Sequence, residues 1–168
     1  EARGDCFYIM DNVVFPASNQ STGLIDAAIA QADVYDTNYA ATYYPWIKIL
    51  DTNLNKIVSV PPSVVLPAIY AANDAAAAEW FAPAGLNRGG ITQAVQVLDR
   101  LTHSERDTLY EGRVNPIAAF PGQGICVWGQ KTLQHKASAL DRINVRGLLI
   151  ALKKFIASSS KFLVFEQR

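Results

Sequence analysis

The sequence has little of what metal sites and nucleophilic catalysis are built from, with two cysteines, two histidines and one methionine in 168 residues. Cys6 and Cys126 lie far apart in the chain, so they suggest neither a disulfide framework nor a zinc site. Each borders or sits inside an apolar run and is expected to be a reduced, buried packing residue. His103 lies just inside a helix-capping sequence and His135 in a polar, basic stretch. Neither has a cysteine or a second histidine at ligand spacing, and both are expected on the surface. No apolar run approaches the roughly 20 residues that span a bilayer, so no membrane insertion is expected. Glu1–Cys6 has neither signal-peptide character nor an initiator methionine, and Phe165–Arg168 ends as abruptly, which reads as a piece of a longer protein.

Charge is also sparse. Only 18% of the residues are charged while 50% are apolar, a composition that folds and does not stay disordered. A length of 168 residues suits one domain, expected to run from 1 to 168 without a linker. The formal net charge of zero hides an asymmetry. Residues 1–127 carry seven Lys or Arg against thirteen Asp or Glu, a net of −6, and residues 128–168 carry eight against two, a net of +6. The basic end calls for an electrostatic partner: nucleic acid, an acidic protein surface, or another copy of the chain.

No catalytic constellation emerges. Gly85, Gly89 and Gly90 surround Arg88 in a loop that could cradle a phosphate, but no Gly-Lys-Ser/Thr follows it to supply a lysine and a magnesium-binding hydroxyl. Gly122-Gln-Gly124 falls between two expected strands, whereas a dinucleotide fingerprint sits at a strand-to-helix turn. Both are read as turns that need positive φ. There is no Gly-x-Ser-x-Gly, and the closest acids, Glu105 and Asp107, belong to the exposed first turn of a helix. Arg3-Gly4-Asp5 and the sequon Asn19-Gln20-Ser21 are set aside as chance matches. The expectation is a protein without enzymatic activity, cofactor or metal.

What the sequence does contain is an alternation of strand and helix patterns. Cys6–Asn12 reads as a buried strand, and Leu24–Ala32 as a helix with Asn19, Ser21 and Thr22 as cap candidates. Tyr39–Leu50 reads as extended and broken by Pro45, then turns through Asp51–Asn55 into Lys56–Val60. A helix is expected over Val64–Ala78 with Pro67 in its first turn, another from Thr92 to Leu101, and a third after the capping box Thr102/Glu105. Asn115–Phe120 and Ile125–Gly129 are expected strands, Ser138–Ser158 a long helix, and Phe162–Phe165 a last strand. Such interspersion predicts an α/β fold, a single layered domain with a mixed β-sheet flanked by helices and a long amphipathic helix near the C-terminus.

That long helix is the most informative segment. At about 100° per residue, Val145, Leu148, Leu149, Leu152, Phe155 and Ile156 share an arc expected to pack on the sheet. Arg142, Arg146 and Lys153 form a narrow stripe along its edge, and Lys154 projects further round. The stripe is either an ordinary solvated face or an interaction surface for an acidic partner. Duplex binding would need more cations and aromatic stacking than Lys131, His135 and Lys136 add.

Several runs carry a family resemblance: Tyr44-Pro-Trp-Ile-Lys-Ile49, Val60-Pro-Pro-Ser63, Trp80–Gly90 (WFAPAGLNRGG), Leu109–Phe120 with Val114-Asn-Pro-Ile117, Val127–Leu133 (VWGQKTL), and Ala139–Phe155. In this order they resemble the C-terminal part of contractile-tail sheath proteins of myoviruses, across nearly the whole chain. The resemblance implies an α/β core in the inner layer of a helical sheath around a rigid tail tube. In that family the sheath assembles extended and shortens on baseplate triggering, subunits turning as near-rigid bodies linked by terminal strands. It implies as partners other copies of the subunit, the tail tube protein, and baseplate and tail terminator proteins, and as location the phage tail, assembled in the host cytoplasm. It also implies that the helix before the end faces the tube, so that Arg142, Arg146, Lys153 and Lys154 become tube-facing candidates. Two departures are expected: the stretch given is read as lacking the family's linking strands and outer domains, and Gly147 occupies a position that is often basic in the family. The competing readings are the sheath of a related contractile device (a phage-tail-like bacteriocin or secretion system), a small α/β enzyme binding a phosphorylated ligand at Gly85–Gly90, and a nucleic-acid module.

Overall fold

A computed structural model describes residues 3–12 and 23–166, and the cap candidates Asn19, Ser21 and Thr22 lie outside them. The chain forms β1 (Tyr8–Asp11), α1 (Leu24–Asp33), β2 (Ala40–Tyr44), β3 (Ile47–Asp51), β4 (Lys56–Val60), α2 (Leu66–Ala76), β5 (Ala94–Val97), α3 (His103–Glu111), β6 (Val114–Phe120), β7 (Gly124–Val127) and α4 (Ile143–Ser159). Four strands make a mixed sheet in the order β1-β2-β6-β7, and three make a second sheet in the order β4-β3-β5. This is the α/β fold with mixed sheet and long last helix that the sequence predicts.

β2 is one of the two inner strands of the first sheet, and every one of its residues is buried. It pairs in parallel with β1 and with β6, while β6 and β7 form an antiparallel hairpin. Parallel neighbours need a crossover, which α1 provides between β1 and β2. Because alternate strand residues point to opposite faces, Ala40 and Tyr44 join Met10, Ala28, Ala32, Leu109, Val114 and Leu133 in one core. Ala41 and Tyr43 face the other way, into a second core with Ile47, Leu66, Ile69, Ile117 and Val127. A sheet covered on both sides reads as a continuous apolar run, as β2 does.

Pro45, joined to Tyr44 by a cis peptide bond, separates β2 from β3, so the single extended run Tyr39–Leu50 enters two sheets. Trp46 then anchors the corner, its indole Nε1 donating to the Asn12 carbonyl at 2.6 Å. Asp11 ties the end of β1 to the 3-10 turn Pro62–Val64 ahead of α2 by accepting from the Ser63 amide (3.0 Å) and hydroxyl (2.6 Å). At the head of α3, Thr102 Oγ1 accepts from the Glu105 amide at 3.4 Å and the Glu105 carboxylate accepts from the Thr102 amide at 2.7 Å, the reciprocal box the sequence predicts. Thr102→Ala is expected to lower stability by about 1 kcal/mol in urea denaturation.

Several expectations give way to tertiary pairing. The segment after Thr92 forms β5, because Ala94, Gln96 and Val97 complete an antiparallel ladder on β3; pairing overrides the local cap signal. Phe162–Phe165 makes no strand: Lys161–Leu163 is a 3-10 turn continuing from α4, and Phe165 is 98% exposed. α4 begins at Ile143, after the expected Ser138, because Ser138 caps a separate 3-10 turn (Ala139–Asp141) and Arg142 is extended in a bridge with Lys131. β1 is an edge strand in which only Met10 is buried, and Cys6 beside it is exposed, so of the two thiols only Cys126 packs in the interior. His103 and His135 are both exposed.

Candidate interaction surface on the last helix

α4 docks by its first half. The Ile143 amide donates to the Gln130 carbonyl (2.9 Å) and Asn144 Nδ2 to the Trp80 carbonyl (3.0 Å). The residues it buries are Ile143, Arg146 and Ile150, an i, i+3, i+7 stripe. Of the arc expected on the sheet, Val145, Leu148 and Leu149 are half-buried, while Leu152, Phe155 and Ile156 are 44%, 67% and 60% exposed. The helix leaves the domain after Ala151, and residues 152–159 are all exposed.

The four basic candidates therefore fall into different surroundings. Arg146 is only 4% exposed; its guanidinium lies 4.1 Å from the centre of the Tyr39 ring, and Nη2 donates to Asn38 Oδ1. Lys153 is exposed and reaches the far side of the same tyrosine, Nζ to Tyr39 Oη at 3.5 Å. Arg142 is half-buried, pairs with Asp141 at 3.2 Å and donates to the Tyr110 hydroxyl. Lys131 joins it there, with Nζ 4.3 Å from the Tyr110 ring centre and 2.8 Å from the Tyr110 carbonyl. Burial, reinforced by the Arg142 charge, pushes the Lys131 pKa down from the usual lysine range. Lys154 is exposed on another side, where its charge also acts on Asp5. Tyr39 holds Arg146, and Tyr110 holds Lys131 and Arg142, through cation–π contacts. Sequence reasoning missed them, because each partner lies 21 to 114 residues away from its cation and no helical period links them.

The Gly85–Gly90 loop is a clamp on β7. The Gly85 amide donates to the Val127 carbonyl, the Val127 amide to the Gly89 carbonyl and the Gly89 amide to the Gly85 carbonyl, each at 2.8 Å. A Cβ at Gly89 would stand 2.9 Å from Ala84 Cα, Gly85 N and Val127 O, which explains the glycine without a ligand. Two of the amides that would cradle a phosphate are already bonded, and the element that follows is β5, not a helix. Among the described residues no group of His, Cys, Asp and Glu could hold a metal ion, and no helix is long and apolar enough to cross a membrane.

Comparison with known proteins supplies the context for these surfaces. Residues 10–133 match the family described as phage tail sheath protein central domain. The tail sheath protein of Vibrio phage KVP40 is 37% identical over 84% of this chain and 22% of its own length. That of Enterobacteria phage T4 is 31% identical over 99% of this chain and 27% of its own length. Among solved structures, the contracted sheath complex of an extracellular contractile injection system, PVC, superposes with a TM-score of 0.78 at 26% identity, covering 96% of this chain and 42% of that one. The contracted helical sheath of the anti-feeding prophage gives 0.74 at 25% identity, covering 96% and 40%. The chain spans about a quarter of the length of the curated relatives it matches. Both relatives are tail sheath proteins. A family match over residues 10–133 and a fold shared with contracted sheaths lead to one assignment: the chain belongs to the phage tail sheath protein family.

Proposed function

We propose that residues 1–168 form a single core domain of a contractile tail sheath subunit, whose copies polymerise helically around a tail tube and shorten to drive that tube through a host envelope. The observation that carries this reading is the agreement of curated phage sheath relatives with solved sheaths in the contracted state. A device of this kind stores energy in contacts between copies: the same rigid unit has two packings, the contracted one lower in free energy and reached over a barrier. A sheet covered on both faces suits a unit that turns without deforming. In this reading the domain stands toward the C-terminal part of its subunit, and its partners are other copies, the tail tube, the baseplate and the tail terminator. A contracted baseplate of the anti-feeding prophage is among the structures it resembles, at 27% identity. The subunit is a component of the virion and assembles in the host cytoplasm. The close phage relatives favour a tail over a related injection device, which the solved neighbours keep as the second reading.

The tube-facing surface is the overhanging half of α4. Lys153 and Lys154 stand there beside exposed Leu152, Phe155 and Ile156, cations around apolar area, as interfaces are composed. Arg142 extends the basic surface toward Lys131, and Arg146 supports it from below by holding Tyr39. The test is Lys153→Glu with Lys154→Glu in the full-length subunit. Both side chains are exposed, so thermal melting should be unchanged, while the fraction of subunit that co-sediments with tail tubes should fall at least about tenfold. Normal sheaths on normal tubes, seen by electron microscopy, would remove α4 from the tube interface.

A further inference from the structure

The start of the Trp80–Gly90 loop is pinned more firmly than a clamp on β7 requires. The buried Asn73 donates through Nδ2 to the Phe81 carbonyl (3.1 Å), and Asn144 donates through Nδ2 to the Trp80 carbonyl (3.0 Å). The Phe81 amide bonds in turn to the Ala78 carbonyl at 3.0 Å. What this scaffold holds is apolar and outside, since Trp80, Phe81 and Leu86 are all exposed. The Trp80 and Phe81 rings stand 6.4 Å apart, and the Arg88 guanidinium lies 4.6 Å from the centre of the Phe81 ring. Exposed apolar residues scattered singly are ordinary, but a fixed group of Trp, Phe and Arg has the composition of an interface hot spot and costs little to order on binding. Beside it, between α2 and α4, opens a cavity of about 250 Å³ walled by Phe7, Tyr70, Phe81 and Ile150. A leucine side chain fits such a space, because apolar cavities of roughly 150 Å³ already admit benzene.

The same chain carries a counterpart at the tip of the β3–β4 hairpin. Leu50 and Ile57 are cross-strand partners and so share a face, Leu54 stands in the turn, and all three are exposed. The turn is itself held in shape: Asp51 Oδ1 accepts from the Asn53 amide (2.9 Å) and the Leu54 amide (3.2 Å), and Asn55 takes a left-handed φ of 47°. Lys56 is exposed beside it. Charge matches across the two surfaces. At the cavity two exposed carboxylates, Asp74 and Glu79, stand against one ammonium, Lys154, and residues 57–87 contain no Lys or Arg. A projecting apolar tip with a cation thus meets a recessed apolar site with an acidic rim. The site lies at the root of α4, where Asn144 holds it, and not at the overhanging end given to the tube.

We infer that the β3–β4 hairpin tip of one copy docks on the Trp80–Phe81 turn of the next, with Leu54 entering the cavity and Lys56 meeting Asp74 and Glu79. The two patches differ, so the contact is head-to-tail and propagates along an assembly instead of closing a two-fold dimer. The inference rests on the reading that copies stack, and its test separates the two. In the full-length subunit, Leu54→Asp leaves thermal melting unchanged, because the side chain is exposed, and lowers assembly at least about tenfold. Lys56→Glu lowers it too, and Asp74→Lys with Glu79→Lys in the same chain restores it. A benzophenone amino acid at position 80 cross-links, in the assembled sheath, to residues 50–57 of another copy. Cross-links from position 80 to the tube or to the outer part of the same subunit, normal assembly of Leu54→Asp, or no rescue by the charge exchange overturns the contact. The isolated chain supplies a readout that needs no sheath. Its Trp80 indole and Leu54 methyl NMR signals shift together as concentration rises to about 1 mM, and Leu54→Asp abolishes both shifts. A wild-type subunit that forms no polymer counts against the sheath reading, and the concentration series still decides the contact, which unchanged signals would overturn.

Discussion

Arg146→Glu should lower the free energy of unfolding by about 3–5 kcal/mol, while Lys153→Glu, two turns further along the same helical stripe, should change it by less than about 0.5 kcal/mol. Both substitutions reverse a charge; only the first does so in the interior. Arg146 Nη2 bonds to Asn38 Oδ1, its guanidinium covers the Tyr39 ring, and Nε has no partner to lose. A glutamate would place an acceptor against the Asn38 oxygen and a carboxylate over the negative face of the ring. Urea denaturation monitored by tryptophan fluorescence measures both, and Arg146→Met separates charge from packing: it keeps the stem and should lose about 1–3 kcal/mol. Equal and small effects from the two glutamates would mean that Arg146 is solvated like its neighbours on the stripe. The comparison matters for function, because an assembly defect in an Arg146 variant reports on the stability of the domain, and one in a Lys153 variant reports on its outer surface.

The second large effect is expected at Asn115. This fully buried side chain donates from Nδ2 to the Thr42 carbonyl (3.1 Å) and the Lys131 carbonyl (2.8 Å), and its Oδ1 accepts from the Lys131 amide (2.7 Å). It thereby fastens the segment after β7 to the middle of the first sheet. Gly129 makes room for it, since a Cβ there would stand 2.8 Å from Asn115 Oδ1. Asn115→Leu keeps the volume and strands three backbone groups, so a loss of about 3–5 kcal/mol is expected. Hydrogen exchange should show the Lys131 amide losing protection before the β6–β7 ladder does. A loss under about 1 kcal/mol would mean that water replaces the amide at all three sites.

Strand and helix periods were legible wherever the partner of an element lies nearby in sequence or wherever burial is complete on both faces. The β3–β4 hairpin, the α3 capping box and the apolar run of β2 each carry their own signal. β5 carried the wrong one, because its ladder partner β3 lies more than 40 residues away and only the fold brings them side by side. α4 shows the same limit in finer form. Its period predicts which residues share a face, yet the choice of face was made by what it lands on, the 130 and 80–81 segments, so a cation went inward and a phenylalanine outward. The glycines read as turns needing positive φ have it at Gly85, Gly122 and Gly124, but not at Gly89 or Gly90, and Gly89 is required instead by the close approach of Ala84, Gly85 and Val127. The basic stripe was visible as a pattern, and its aromatic supports, Tyr39 and Tyr110, were not.

The overhang of α4 has a mechanical consequence. The helix end projects roughly 14 Å past Ile150, the last buried side chain, at 1.5 Å per residue. A force applied to Phe155 acts on a cantilever whose root is a short bolt of three side chains, Ile143, Arg146 and Ile150. Torque on that arm is carried through Arg146 to Tyr39 at the start of β2, an inner strand of the first sheet, so load at the exposed tip is borne by the interior and not by a surface loop.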